Sequence, residues 1–271
     1  MEETTTAVDK MRKALALKML ARFRVMDDTF MRQVFKDNLP LTQHVLRIIT
    51  GIDDLCLEES ETQRDLKSIE GSRSGILDVY GVDTNGTQYN LEVQNGDTLD
   101  ANRTRYYSAT MDIDYLLPRE RFAKLPEQWV IFILECDSSA NGQARRQFEN
   151  RDALTGDLLG DGTHKLIVNG AYRGDDELGS LMTDFCERDP NKIRDPLLRE
   201  RVQYLKQDPK GVSDMCAISE EIFNKGQEVG ALNKLLSCVR SLMETMGWTA
   251  QEALKNLKVP EEERARYLAM L

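Results

Sequence analysis

An Asn-Gly dipeptide at residues 85–86 constrains the local fold of this chain more than any other feature. It joins two short segments whose residues favour extended backbone: Ile76, Leu77, Val79, Tyr80 and Val82 before it, and Tyr89, Leu91 and Val93 after it. An Asn-Gly pair between two such segments is a strong short-range signal for a tight turn. We therefore predict a β-hairpin over residues 75–94.

The length of the hairpin loop decides which side chains face each other. A two-residue loop would send Asp78 and Glu92 to opposite sides of the sheet. A three-residue loop from Thr84 to Gly86 would place the two acidic residues directly opposite each other. Such a loop needs a residue in the left-handed conformation, which Gly86 adopts without steric cost. We predict the three-residue loop.

Opposed carboxylates on adjacent strands are a candidate cation site. Cβ atoms of directly opposed residues lie roughly 4.5–5.5 Å apart, and two like charges at that separation are unfavourable unless a cation neutralises them. Gln94 would lie on the same face, two residues beyond Glu92. The alternative is that Asp78 and Glu92 are solvated residues on the outer face of a half-buried hairpin.

Asp78, followed by Glu92-Val-Gln94 on the next strand, resembles the site of the PD-(D/E)XK nuclease superfamily. The closer resemblance is to the PD-(D/E)XK family transposases, which are related to the recombination-promoting nucleases. Further segments match that branch in order: Asp28 to Phe35, Arg103 to Tyr107, Leu125 to Ile133, Asp161 to Gly170 and Arg201 to Lys206. Together they span about residues 26–215.

The resemblance implies an α/β protein with a restriction-endonuclease-like core, in which a mixed central sheet is flanked by helices. It implies Asp78 and Glu92 as ligands of Mg²⁺, for which Mn²⁺ would substitute, with the backbone carbonyl of Val93 completing the site. Asp28 is a further candidate ligand, although capping of a helix explains it equally well. Gln94 stands where the superfamily more commonly has Lys, and it would position water or phosphate.

The expected function is that of a magnesium-dependent DNA endonuclease linked to mobile elements or recombination. A bound Mg²⁺ takes one or two carboxylates, activates water and stabilises charge at phosphorus. The alternative is a catalytically inactive nuclease-like scaffold that binds DNA or protein and associates with itself. Gln94 is the sequence feature that bears on this choice, because it lacks the positive charge of Lys.

The net charge of −10 argues against a protein that coats nucleic acid, so DNA contacts must come from a local basic patch. Arg103, Arg105 and Tyr107, just after the hairpin, form the candidate patch. Arg103 and Tyr107 are four residues apart and share one helical face. The alternative is that the tyrosines belong to the core and the arginines pair with Asp100 or other nearby acids.

Composition favours a cytoplasmic protein with no membrane partner. No apolar run reaches the length of a membrane span, and the N-terminus lacks the basic and apolar regions of a signal peptide. The five cysteines show neither CxxC pairs nor zinc spacing, which indicates free thiols in a reducing compartment.

Hydrophobic periodicity predicts the remaining elements. Helices are expected over 8–24, 28–38 and 99–116 and from about Pro40, and further strands over 53–59, 129–134, 146–152 and 164–169. The continuous apolar run from Trp129 to Leu134 is typical of a central buried strand. From about residue 176 the chain is expected to be helical.

We predict a nuclease-like core over residues 1–210 and a helical extension over 211–271. Apolar residues in the extension recur at alternating steps of three and four, with one polar exception: Met215, Ile218, Ile222, Lys225, Val229, Leu232, Leu236, Val239, Met243 and Met246. Such a seam favours a short coiled coil and hence a homodimer, or else a helix packed on its own core. A helix pair would follow, with Thr249 capping the first helix and Pro260 starting the second.

Overall fold

The computed structural model describes residues 14–66 and 75–271, and within these ranges it leaves the side chains of 219–229 and 231 undescribed. The chain divides into two compact units. One is Lys18–Val212. The other comprises Ser213–Leu271 and the described N-terminal residues up to Leu17.

The larger unit is built on a six-stranded mixed sheet flanked by helices, which confirms the mixed α/β class. Its strands are β1 (Leu57–Leu66), β2 (Gly75–Asp83), β3 (Gln88–Gln94), β4 (Gln128–Leu134), β5 (Arg145–Phe148) and β6 (Thr163–Asn169). They lie in the order β1-β2-β3-β4-β6-β5. The β3–β4 and β4–β6 pairs are parallel, and the other pairs are antiparallel.

β4 is the buried centre of this sheet, as its apolar sequence predicted. All seven of its residues are buried, and it pairs with parallel neighbours on both sides. A strand covered on both faces has no solvated side, so an unbroken apolar run replaces alternation. Phe132 and Val130 of β4 pack with Tyr107 and Met111 in one core cluster.

The hairpin forms with the predicted register. Val79 pairs with Leu91 and Val82 pairs with Gln88, so the loop consists of the three residues from Thr84 to Gly86. Gly86 has a φ of 83°, in the left-handed region that the loop requires. The side chain of Asp83 accepts hydrogen bonds from the backbone amides of Asn85, in the loop, and Thr87, just after it, which fixes the turn.

The helices have the following bounds. Residues 14–22 are helical (α1), and then come α2 (Asp28–Phe35), α3 (Leu39–Thr50), α4 (Ala101–Tyr115), α5 (Glu177–Cys186), α6 (Pro196–Gln207), α7 (Pro209–Met246), α8 (Ala250–Asn256) and α9 (Glu261–Leu268), with 3-10 turns at Phe122–Lys124 and Pro190–Lys192. α2 and α4 both contact the hairpin strands, and they carry the side chains discussed below.

Three predicted boundaries were wrong, one of them that of the strand predicted over 146–152, which is Arg145–Phe148. The first strand is Leu57–Leu66 and not 53–59. It was missed because this edge strand is mostly charged and polar, a composition that protects sheet edges from pairing with other chains. The helix predicted over 28–38 ends at Phe35. Part of the first predicted helix, residues 8–13, lies outside the described residues.

The C-terminal unit has a small core of its own. Val239 of α7 packs with Ala253, Leu254 and Val259, which belong to α8 and the turn that follows it. A capping box between Thr249 and Glu252 starts α8, which confirms the predicted cap at Thr249.

Only part of the predicted heptad seam can be followed. The side chains of Ile222, Lys225 and Val229 lie outside the described set. Leu236 and Val239 are buried, whereas Met243 and Met246 are exposed. Self-association through this seam stays a prediction. Within the described ranges, no helix is both long and apolar enough to cross a bilayer.

Candidate functional site

Asp78 and Glu92 come together at the end of the hairpin away from its loop, and both are buried. Asp78 is 5% exposed and Glu92 is 0% exposed, so the alternative of two solvated carboxylates on an outer face does not hold. The backbone N–H of Asp78 donates to Glu92 Oε1 at 3.1 Å. The two acidic residues are therefore in direct contact across β2 and β3.

The β-ladder is interrupted at this point. The pairing of β2 with β3 ends at Val79 and Leu91, and the amide of the next residue, Asp78, donates to the side chain of Glu92. On the other side, Thr62 pairs with Val79, while the next residue, Gln63, has a positive φ of 58°. A non-glycine residue with left-handed backbone inside a strand stores strain, a feature that clusters at functional sites.

Helix α2 supplies a guanidinium to Asp78. Arg32 Nε and Nη2 both lie 2.9 Å from Asp78 Oδ1, and Arg32 Nη2 also lies 2.6 Å from Asp28 Oδ2. Asp28 is in the first turn of α2, one turn before Arg32, so both side chains lie on the same face of the helix.

Asp28 is therefore part of the cluster and does not cap its helix. Asp27 occupies the N-cap position, without a side-chain capping hydrogen bond. The second carboxylate oxygen of Asp28, Oδ1, is buried and has no hydrogen-bond partner among the described residues. A buried carboxylate oxygen without a donor has lost its hydration and is available to a cation.

Helix α4 supplies a second guanidinium, to Glu92. Arg103 Nη2 lies 3.1 Å from Glu92 Oε2, and it donates to the hydroxyl of Tyr107 at 3.0 Å. The guanidinium also lies 5.4 Å from the ring centroid of Tyr107 and 5.6 Å from that of Phe132, within the range of cation–π attraction. Asp100 caps α4 through the amide of Asn102 and is not the partner of Arg103. The rest of the alternative holds for these two residues, since Tyr107 is buried in the core and Arg103 pairs with an acid, Glu92.

Asp28, Arg32, Asp78, Arg103 and Tyr107 line an open cleft of about 440 Å³, whereas the fully buried Glu92 is not part of its lining. Its lining includes Asp28, Arg32, Gln63, Ile76, Asp78, Val93, Gln94, Asn95, Arg103 and Tyr107. Gln94 is half-buried at the end of β3, on the predicted face. Arg105 does not line this cleft. It lies in a neighbouring groove of about 700 Å³ that shares Ile76, Arg103 and Tyr107 with the cleft.

Burial and mutual repulsion shift the acidity of the two buried carboxyls. Burial, and next the charge of Asp78, raise the pKa of Glu92 to about 8. Burial, and next the charge of Asp28, raise the pKa of Asp78, which Arg32 partly offsets. Strongly raised carboxyl pKa values in a cleft are typical of functional sites.

The described residues fit a divalent cation only in part. They contain no group of three or more His, Cys, Asp or Glu side chains arranged to hold a metal ion. Two carboxylates from adjacent strands are, however, the number that Mg²⁺ commonly takes while it keeps several waters. Asp78, Glu92 and the carbonyl of Val93 would hold the ion, with the unpartnered Asp28 Oδ1 beside them.

The sequence pattern led to Asp78, Glu92, Arg103 and Asp28, which the structure brings to one place, but it missed Arg32. The pairing of Arg32 with Asp28 could have been predicted, since the two residues are four positions apart on one helix. The contact of Arg32 with Asp78 could not, because it depends on how α2 packs against β2 and joins residues 46 positions apart.

A comparison of the chain with protein-family models, with curated proteins and with solved structures found no match.

The raised pKa of Glu92 predicts a pH-dependent stability. The folded protein keeps a proton on Glu92 up to a pKa of about 8, whereas the unfolded chain releases it near the ordinary value of 4.5. The free energy of unfolding should therefore fall as pH rises through this window. One unit of pKa shift corresponds to about 1.4 kcal/mol, so the loss should exceed about 1 kcal/mol.

Urea unfolding at intervals between pH 5 and pH 8 measures this loss. Glu92→Gln should flatten the profile, because its side chain does not titrate. Glu58→Gln, the same change at an exposed position of β1, should leave the wild-type profile unchanged. Equal slopes for wild type and Glu92→Gln would show that Glu92 is not the group responsible.

Proposed function

We propose that this protein is a Mg²⁺-dependent DNA endonuclease of the PD-(D/E)XK type, with a restriction-endonuclease-like core. The observation that carries the proposal is the burial of Asp78 and Glu92 in contact across two strands of the predicted register. Burying two carboxylates together costs free energy and is retained where the site uses them. The resemblance of Asp78 and Glu92-Val-Gln94 to the superfamily supplies the reaction class.

Each residue would have a defined role in phosphodiester hydrolysis. Asp78 and Glu92 would hold Mg²⁺, which supplies an activated water and charge stabilisation at phosphorus. Arg103, which is 41% exposed, would donate to a phosphate oxygen of the DNA. Gln94 would orient the water or the phosphate through its amide. Tyr107 would hold Arg103 in place through its hydroxyl.

The groove next to the cleft supports a DNA path along α4. Arg105 is exposed there, beside Asn102, and the groove continues from Arg103 and Tyr107 at the cleft. Most hydrogen bonds from proteins to DNA go to phosphates and sugars, and arginine and asparagine side chains make many of them. A backbone crossing this groove would place one phosphate at the acidic cleft.

A second function is favoured by one specific observation. Each carboxylate already has a guanidinium partner, Arg32 for Asp78 and Arg103 for Glu92, and Gln94 replaces the usual Lys. A charge-compensated cluster of this kind also suits a nuclease-like scaffold that no longer cuts and that binds DNA or protein. The uptake of metal and the cutting of DNA separate the two functions.

We expect plasmid nicking by the wild-type protein in Mg²⁺ or Mn²⁺, and its loss in Asp78→Asn. The substitution removes a metal-ligand charge with little change of shape. A bound metal contributes several kcal/mol of charge stabilisation, so the rate should fall by about 100-fold or more. The measurement is conversion of supercoiled to nicked plasmid over time.

Asp137→Asn is the matched control. Asp137 is also buried and paired with an arginine, Arg146, at 2.9 and 3.0 Å, but it does not line the cleft. The Asp137→Asn variant should therefore fold and keep the nicking activity of the wild type. Absence of metal-dependent nicking in the wild type would refute the enzyme and favour the scaffold, as would equal activity of wild type and Asp78→Asn.

Arg105 is expected to contact a DNA phosphate. In an Asp78→Asn background, which prevents cutting, Arg105→Gln should weaken DNA binding and make the slope of log affinity against log salt smaller by about one. Fluorescence anisotropy at several salt concentrations measures the slope. Arg121→Gln, at an exposed arginine outside both grooves, should leave it unchanged. Identical slopes for the two variants would exclude the proposed path.

A further inference from the structure

The acidic cleft nearly balances its own charge. Three carboxylates, of Asp28, Asp78 and Glu92, meet two guanidinium groups, of Arg32 and Arg103. With all five groups ionised, the cluster carries a net charge of −1. A divalent cation added to this arrangement would leave an excess of positive charge in a partly buried place, which is unfavourable.

The two arginines are held differently. Arg103 contacts Glu92, but it also bonds to the Tyr107 hydroxyl and lies near two aromatic rings, so it has partners that do not depend on the carboxylate. The described hydrogen bonds of the Arg32 guanidinium go only to Asp78 and Asp28. The described polar contacts of the Arg32 guanidinium are therefore with these two carboxylates alone.

Arg32 also has the geometry of a cation that bridges two ligands. Its Nη2 lies 2.6 Å from Asp28 Oδ2 and 2.9 Å from Asp78 Oδ1, so one nitrogen serves both side chains. A guanidinium suits this place better than the compact ammonium of lysine, because its Nε makes a further contact with Asp78. The side chain is 26% exposed and lines the open cleft, so it has room to move toward solvent.

We infer that Arg32 is an internal cation that competes with the divalent metal for Asp78, so that metal binding requires its release and its presence lowers the metal affinity of the site. The inference rests on the proposed function for the identity of the metal site. Without Arg32 the cluster would carry a net charge of −2, which one divalent ion neutralises. The arginine would also stabilise the metal-free protein, because it pairs a buried carboxylate.

The test is the affinity of EDTA-treated protein for Mn²⁺, measured by isothermal titration calorimetry. A pH of about 8.5 reduces the competition of protons with the metal for the carboxylates. Arg32→Gln should bind Mn²⁺ at least about tenfold more tightly than the wild type, since it removes a competing positive charge next to the ligands. A lost structural contact alone would weaken metal binding, so a gain is the signature of competition.

Arg64→Gln is the matched control. Arg64 pairs with Asp114 at 3.1 Å and stacks over Tyr80, so the variant makes the same change in net charge at another partly buried ion pair. Its Mn²⁺ affinity should equal that of the wild type. Equal gains in both variants would attribute the effect to overall charge and would overturn the inference.

Thermal unfolding gives a second readout. In EDTA, Arg32→Gln should melt below the wild type, and saturating Mn²⁺ should raise its melting temperature more than that of the wild type. If Arg32→Gln does not fold, Arg32→Lys replaces it. The single ammonium nitrogen cannot also make the second contact with Asp78 that Arg32 Nε makes, so it should hold Asp78 less tightly and the Mn²⁺ affinity of the variant should also exceed that of the wild type.

The possible results separate the inference from the nuclease proposal. Tighter Mn²⁺ binding by Arg32→Gln without DNA cutting by the wild type would support the inference and refute the nuclease. Metal-dependent cutting by the wild type, with Mn²⁺ affinity unchanged or weaker in the folded Arg32 variants, would overturn the inference and leave the nuclease standing. Absence of Mn²⁺ uptake in the wild type and in the Arg32 variants alike would refute both.

Discussion

The contact between Asp78 and Glu92 at the end of the hairpin is the constraint on which the rest of the site depends. Two carboxylates buried side by side are tolerated only if protons or cations neutralise them. Both means of neutralisation are present in this site. Burial and the neighbouring charge of Asp78 raise the pKa of Glu92 to about 8, and one arginine reaches each carboxylate. The helices that carry those arginines, α2 and α4, must therefore lie against the hairpin.

The position of α2 is in turn fixed by α6. Arg201 of α6 donates to the backbone carbonyls of Gln33, Val34 and Lys36 at the end of α2, at 2.7 to 3.0 Å. Lys206 donates to the carbonyl of Phe23, which precedes α2, at 2.6 Å. Charged donors at a helix C-terminus satisfy carbonyls that the helix itself leaves unpaired. Through these bonds, a helix remote in sequence holds the element that presents Asp28 and Arg32.

The parts of the site that local chemistry determines were predictable from the sequence. The three-residue loop was favoured because it needs a left-handed residue, which Gly86 supplies, and the observed register agrees with it. The central strand β4 followed from its unbroken apolar run. The shared helical face of Arg103 and Tyr107 followed from helical geometry, and the structure adds a hydrogen bond between the two side chains.

The parts that depend on packing between distant elements were not predictable in the same way. Nothing local to Arg32 indicates that it reaches Asp78, since that contact depends on how α2 lies against β2. The edge strand β1 was misplaced because its charged residues carry no inward-facing pattern. The positive φ of Gln63 next to the site likewise has no signature in its side chain.

The two functional candidates differ in what fills the space between the carboxylates. In the nuclease, the guanidinium of Arg32 is a replaceable occupant, and Asp78 and Glu92 turn to a metal. In the scaffold, the ion pairs are the final state, and the cluster holds the hairpin to α2 and α4. The unpartnered Oδ1 of Asp28 fits the first, because a bound cation would satisfy this oxygen.

The most direct test is a crystal structure of the protein soaked in Mn²⁺, with data collected at the manganese absorption edge. We expect an anomalous peak about 2.0–2.3 Å from oxygens of both Asp78 and Glu92, distances typical of hard divalent cations bound by carboxylates. We also expect Arg32 to have moved away from Asp78. Carboxylates that remain paired with Arg32 and Arg103, with no peak between them, would show that Asp78 and Glu92 do not bind a divalent cation.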